Sequence, residues 1–262
     1  MIIYMNNITI GYLSWKRHDI FKQTLASHKN NGLFDIIPSL NRLIFFQEIN
    51  QSDIETAKQF ECNYIGSNEN IGILNAFIEL INHCHTEYFI FCENDWCLIE
   101  NKLITTKILE DAVTLLNSSK ADIIKLRHRK IYGEPLYSKP NNLEEWLNGN
   151  YNDCPYKLES LSWIDPKVYN NILEEFNGNY KWYITTLDHQ RWSNNIFICK
   201  TQYIKDIIVP LLKININCNK YTGLEDILIN YNHYLGENDI IEKYSKLKIA
   251  GGEGLFMHKD KI

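Results

Sequence analysis

Apolar residues in the first hundred positions recur with two different periods. Ile8–Ser14 is a short run of β-formers and reads as a strand. Ile20, Phe21, Thr24, Leu25 and His28 then follow helical spacing, with Asp19 as the expected N-cap and Asn31-Gly32 as the stop. Arg42–Ile49 is the next strand, and its continuous stretch Leu43-Ile44-Phe45-Phe46 suits a strand covered on both faces. Ser52, Asp53 and Glu55 open a second helix that runs to about Glu61. Asn63–Gly66 reads as a third strand, Asn70–Cys84 as a third helix, and Tyr88–Cys92 as a fourth strand that is apolar throughout. Such alternation implies a parallel sheet with helices on both faces, because each parallel pairing needs a crossover connection.

Beyond residue 100 the pattern loosens. Asn101–Ser118, Thr201–Leu212 and Leu224–Tyr234 read as helices, and Asp122–Leu126, Ser160–Ile164 and Asn195–Cys199 as strands. Residues 130–157 are rich in Pro, Asn, Gly and Tyr and are expected to form a long loop, a length that in a compact domain goes with function. Gly251-Gly252-Glu253-Gly254 reads as a flexible Gly-rich turn, followed by the short apolar run Leu255-Phe256-Met257 and then His258. No repeat, low-complexity tract or linker divides the chain. The expectation is one α/β domain over residues 1–262, with a mostly parallel, Rossmann-like sheet flanked by helices in 1–100 and a mixed second half in 101–262.

Composition narrows the function classes. With 45% hydrophobic residues in 262, there is ample material for a core. Lys+Arg is 27 against 32 Asp+Glu, a net charge of -5, which is a poor match to a nucleic-acid binder whose affinity rests on phosphate neutralisation. No apolar run approaches the roughly 18–20 residues of a membrane span, and the opening segment lacks the basic region and cleavage site of a signal peptide. Seven Cys without a CxxC pair favour free thiols in a reducing compartment, so a cytoplasmic location is expected. The abundance of Ile and Asn reads as the codon bias of an AT-rich viral or bacterial genome.

Candidate chemistry concentrates at three places. Glu93-Asn94-Asp95 follows directly on the apolar strand, and ligand sites of open α/β sheets lie beyond the carboxyl ends of their strands. Two carboxylates one residue apart repel each other unless a cation sits between them. Mg²⁺ or Mn²⁺ is commonly shared between one or two carboxylates and substrate phosphates; the plainer reading is an exposed acidic turn. Gly223-Leu224-Glu225-Asp226 puts two acids at a helix start, where the macrodipole alone accounts for them or where one carboxylate serves as general base toward a hydroxyl. His258 is either a histidine without a role or a neutral imidazole metal ligand.

Taken in order, these segments resemble the GT-A glycosyltransferases, in particular the inverting family-2-like enzymes. Thr9–Arg17 is similar to that family's opening strand and nucleotide-facing loop, and Glu48 to the acid ending its second strand. Asn70-Ile71-Gly72 with Ala76 looks like its Asn-x-Gly-x-x-x-Ala helix start, Tyr88–Asp95 like its hydrophobic strand and Asp-x-Asp, and Gly223–Asp226 like its Trp-Glu-Asp segment. Glu93 stands in place of the first Asp, and Leu224 in place of the Trp.

The resemblance implies a GT-A fold and a metal-dependent inverting glycosyltransferase that moves a sugar from a nucleoside-diphosphate sugar, a UDP-sugar first, to a glycan or glycoprotein hydroxyl. It implies nucleotide contacts from Gly11, Tyr12, Ser14, Arg17, Glu48, Asn70, Gly72, Glu93 and Asn94, with Lys16 or Arg17 adding positive charge near the diphosphate, where the plainer reading of the basic pair is a solvated loop. It implies Mn²⁺ or Mg²⁺ on Asp95 and His258, and Asp226, beside Glu225, as catalytic base. For Asn70 and Gly72 the alternative is that they only shape the helix start. Trp96, Trp163, Trp182 and Trp192 fall near the loops expected around the acceptor, and Trp163 and Trp192 are the candidates for packing a sugar face. Two other readings stand beside it. One is a nucleotidyltransferase, for which the first loop lacks a Gly-rich basic cradle. The other is a non-catalytic glycan-binding protein that keeps the fold, which the departures at Glu93 and Leu224 leave open.

Overall fold

The computed structural model describes residues 5–128, 173–187, 192–214, 223–229 and 239–261. Four strands, β1 (Ile8–Ser14), β2 (Arg42–Gln47), β3 (Asn63–Ser67) and β4 (Tyr88–Glu93), lie in the order β3-β2-β1-β4 and are all parallel. Ile10 pairs with Arg42 on one side and Ile90 on the other. The chain then supplies β5 (Trp96–Leu98), β6 (Ile123–Arg127), β7 (Glu174–Asn177), β8 (Lys181–Thr186), β9 (Phe197–Lys200) and β10 (Lys248–His258). These extend the same sheet as β4-β9-β6-β10-β8-β7, with β5 pairing the far end of β10. Strands β5, β8 and β9 run against all the others, so the sheet is mostly parallel with a mixed second half.

Alternation along the strands explains the two-sided burial. Tyr88, Ile90 and Cys92 of β4 face the core under the helices His18–Asn30, Gln51–Gln59 and Lys102–Asn117. Phe89 and Phe91 face the opposite core under Gly72–Asn82, Val209–Ile214, Leu224–Ile229 and Asp239–Ser245. Helix starts follow from local chemistry. Asn50 and Asp53 form a reciprocal capping box that stabilises Gln51–Gln59, by about 1 kcal/mol, and Asn101 caps Lys102–Asn117. Asp19 is not the cap of the first helix. Arg17 holds that position in a left-handed conformation without a side-chain cap, and Asp19 lies in the first turn. A π-helical stretch, Ile204–Ile208, directly precedes the turn holding Pro210, which has no N–H to give to an α-helical ladder.

The Gly-rich segment near the C-terminus is not a flexible turn. Lys248–His258 forms the longest strand described, paired with β6, β8 and β5 in succession. The glycines serve close packing. A Cβ at Gly252 would meet the Trp182 ring at 2.9 Å, and Gly254, at φ 72, lies where a Cβ would collide with the Arg127 carbonyl. The register shift between Gly251 and Phe256 lets the strand leave β8 and continue onto β5. The expected strand Ser160–Ile164 and loop 130–157 fall outside the described residues.

Candidate functional site

The chain leaves β1 toward β2 on one side and returns from β3 to β4 on the other, so the carboxyl ends of β1 and β4 flank a topological switch point. A cleft of about 440 Å³ opens there. Leu13, Ser14, Trp15 and Arg17 form one wall, Gln47, Asn70, Gly72 and Ile73 another, and Glu93, Asn94 and Asp95 the third. The loops around it are tightly turned: Lys16, Arg17 and Glu48 all have positive φ, which for non-Gly residues costs roughly 1–2 kcal/mol each. Side-chain contacts hold these turns. Trp15 Nε1 donates to Glu48 Oε2 at 2.9 Å, Lys16 Nζ lies 3.4 Å from the same oxygen, and the Lys16 ammonium sits 4.6 Å from the Trp15 ring centre. Asn70 Oδ1 accepts the Gly72 N–H at 2.8 Å and so shapes the start of the next helix while lining the cleft.

Asp95 is the electrostatic centre. Its Oδ2 lies 3.1 Å from Arg17 Nη1 and 3.1 Å from His258 Nε2, while its Oδ1 is buried without a hydrogen-bond partner. Its backbone carbonyl accepts the Lys259 N–H at 2.7 Å. Antiparallel pairing of Trp96 with His258 brings β10 to this point, and the two rings pack edge to face at 5.6 Å. Glu93 behaves differently from Asp95. Burial, then the charges of Asp95 and Glu225, push its carboxyl up to about 8 against the opposing pull of Arg17. A proton on Glu93 at neutral pH relieves the repulsion that the acid-x-acid spacing creates.

A second polar cluster lies beside the cleft. Glu225 Oε1 accepts the Asn194 N–H, and Asn194 Oδ1 accepts from Trp192 Nε1 at 3.2 Å. Lys125, buried on β6, donates to the Ser193 carbonyl at 2.6 Å and sits 4.8 Å from the Trp192 ring centre. Burial pushes its ammonium down to about 7, against the attraction of Glu225. The segment 192–194 is thereby tied both to the sheet and to the helix Leu224–Ile229.

The structure brings Ser14, Arg17, Asn70, Gly72, Glu93, Asn94, Asp95 and His258 together, with Glu48 reaching Trp15 on the cleft wall. Three expected contacts are corrected. Gly11 lies inside β1, where a Cβ would strike the Phe89 ring. Tyr12 is fully buried with its hydroxyl 2.7 Å from His28 Nδ1, so its side chain is a core group. Trp192 is buried against Phe197 and Tyr244 and offers no open face to a sugar; Trp96 and Trp182 are likewise buried. Trp163 and the side chain of Asp226 lie outside the described residues; the backbone of Asp226 belongs to the helix Leu224–Ile229. Sequence reasoning passed over Trp15, Gln47 and Lys125. The signal for Lys125 was a lysine inside the apolar run Ile123-Ile124-Lys125-Leu126.

Comparison with known proteins gives the architecture its name. No protein-family model and no curated protein matches the sequence. Among solved structures, the chain is similar to TarS 1–349 from S. aureus at TM-score 0.52 and 13% identity, over 95% of this chain and 59% of that one. The chain has the GT-A fold. The same S. aureus protein in complex with UDP-GlcNAc aligns at TM-score 0.50 and 12% identity, over 98% of this chain and 61% of that one. Glucosyl-3-phosphoglycerate synthase from Mycobacterium tuberculosis, in complex with Mn²⁺, UDP-glucose and phosphoglyceric acid, aligns at TM-score 0.47 and 11% identity, over 98% and 76%. At these identities the likeness is one of fold. The chain spans about three fifths of the length of TarS 1–349. No helix among the described residues is long and apolar enough to cross a membrane.

Proposed function

We propose that the chain is a metal-dependent inverting glycosyltransferase that uses a nucleoside-diphosphate sugar, a UDP-sugar first, and a glycan hydroxyl as acceptor. The observation that carries this reading is the meeting of Arg17, Asp95 and His258 at the switch-point cleft, with Asp95 Oδ1 buried and unpartnered. The fold shared with the UDP-GlcNAc complex of TarS supports a nucleotide sugar in that cleft.

Asp95 and His258 fit a divalent cation. An orphaned carboxylate oxygen and an imidazole nitrogen are suitable donors, and no cluster of three or more metal-binding side chains forms among the described residues. Substrate phosphates would complete such a shell. The bound ion would supply Lewis-acid stabilisation of charge building on the leaving diphosphate. Trp15, with Glu48 fixed to its indole, walls the end of the cleft suited to a nucleoside. Arg17 provides positive charge for the diphosphate. Asp226 takes the proton of the acceptor hydroxyl as that oxygen attacks the anomeric carbon and the bond to the diphosphate oxygen breaks, which inverts the centre. Glu225, held by the Asn194 N–H, orients the helix that carries Asp226.

A melting-temperature screen of UDP, GDP, CMP and TDP sugars with and without Mn²⁺ tests the reading. A ligand at a hundred times its Kd adds about 2.7 kcal/mol of stability. The expected result is a shift with one nucleotide class that grows with Mn²⁺; no shift with any of them overturns the proposal.

A further inference from the structure

We infer that Arg17 is the resident counter-cation of Asp95 and couples divalent-cation binding to a diphosphate-bearing ligand. The inference rests on the reading of Asp95 as the cation-binding carboxylate. It concerns what occupies that carboxylate when no ligand is present.

Three observations carry it. The first is occupancy: Arg17 Nη1 and His258 Nε2 each approach the same oxygen, Asp95 Oδ2, at 3.1 Å, and the other oxygen has no partner. The second is an asymmetry of freedom. The Asp95 side chain is only 11% exposed and its backbone is fixed by the Lys259 N–H, whereas the Arg17 side chain is 58% exposed and reaches Asp95 from the opposite wall. Arg17 is therefore the partner able to move. The third is the state of the neighbouring cations. Lys16 is engaged by Glu48, and Lys259 contributes a backbone N–H. The guanidinium is the permanent positive charge on Asp95.

A guanidinium does not lose its proton in a protein. A divalent cation drawn to the unpartnered Oδ1 shares the carboxylate with the guanidinium on Oδ2, and two positive centres on one carboxylate repel each other, so the ion binds Asp95 better once Arg17 leaves. A free metal ion offers Arg17 no new anion. A diphosphate does, and planar pairing with phosphate oxygens is what a guanidinium does well. Arg17 consequently acts with opposite sign on two equilibria: it weakens binding of the bare ion and strengthens binding of the ion together with a diphosphate. This reciprocity is a coupling between two ligands carried by one side chain.

The test is a Mn²⁺ titration of the full chain, followed through the electron paramagnetic resonance of free Mn²⁺. It compares wild type, Arg17→Gln, Arg17→Lys and Asp95→Asn, each without nucleotide and with UDP. Circular dichroism confirms that each variant is folded. Without nucleotide, Arg17→Gln is expected to bind Mn²⁺ about threefold to tenfold more tightly than wild type, Arg17→Lys to stay within about twofold, and Asp95→Asn to lose binding. With UDP the order of wild type and Arg17→Gln reverses, and the differences shrink in high salt. An Arg17→Gln affinity equal to or weaker than wild type in the absence of nucleotide, with Asp95→Asn still losing the ion, overturns the inference and leaves the metal reading standing. An Asp95→Asn protein that binds Mn²⁺ as wild type does overturns both.

Discussion

His258 Nε2 lies 3.1 Å from Asp95 Oδ2, which joins the end of β10 to the turn that follows β4. The pair is the reason to treat a histidine near the C-terminus as part of the cleft. If both side chains hold the ion, His258→Ala weakens Mn²⁺ at least about tenfold. The Mn²⁺-dependent part of the UDP-induced melting shift should fall accordingly, while the shift produced by UDP alone persists. An unchanged Mn²⁺ dependence would remove His258 from the site.

Asp226 and Glu225 should separate under substitution. Asp226→Asn is expected to keep the donor-induced melting shift and to lower turnover by about 10²–10⁴. Glu225→Gln keeps an acceptor for the Asn194 N–H and should lower turnover less. Equal loss of donor binding and turnover in Asp226→Asn would mean that Asp226 is structural.

Lys125 gives a pH signature. Its folded value, about 7, lies below the roughly 10.4 of an unfolded lysine. Between these limits the unfolded chain binds the extra proton, so this group makes stability rise with pH, by up to about 1.4 kcal/mol per pH unit. Below about 7 both states are protonated and the slope disappears. Glu93, pushed to about 8, acts with the opposite sign below that pH, so wild type must be compared with Lys125→Met at each pH. Urea midpoints at pH 6, 7, 8 and 9 should show the variant gaining relative to wild type toward low pH. Parallel curves would show that Lys125 is charged in the folded protein throughout.

Asp111 should be the most sensitive carboxylate away from the cleft. Its Oδ1 accepts from the Asn179 backbone N–H at 2.8 Å and side chain at 2.9 Å, and its Oδ2 from the Tyr180 N–H at 2.9 Å and Trp182 Nε1 at 3.0 Å. Asp111→Ala strands these donors and is expected to cost about 3 kcal/mol or more. For a chain of this size that lowers the melting temperature by roughly 6–12 °C. A loss below about 1 kcal/mol would mean that the turn between β7 and β8 rearranges to satisfy itself.

The parallel half of the fold was legible because a strand buried on both faces must be apolar throughout, and Leu43–Phe46 and Tyr88–Cys92 are. Strand β10 was not, since Gly251, Gly252 and Gly254 carry no side chains to alternate. Their reason for being glycine, the approach of Trp182 and of the Arg127 carbonyl, comes from residues distant in the chain. The cleft acids were legible from their place after an apolar strand. The tryptophans misled, because an indole next to Ser193 and Asn194 looks solvent-facing until the Lys125 side chain is seen against it. Glu93 as a protonated acid was hidden for the same reason, since the burial and the Glu225 charge that act on it come from elsewhere.

The route of β10 also bears on how the protein assembles. Pairings within β1–β4 close comparatively short stretches of chain, whereas Ile249 must find Ile123 and Phe256 must find Leu98. Such distant closures are entropically costly and slow relative to local ones. A partly folded chain holding only β1–β4 would present Asp95 without His258. If Asp95 and His258 hold the ion, competence to hold a cation there reports completed folding, and the moment at which Mn²⁺ affinity appears during refolding would time the docking of β10.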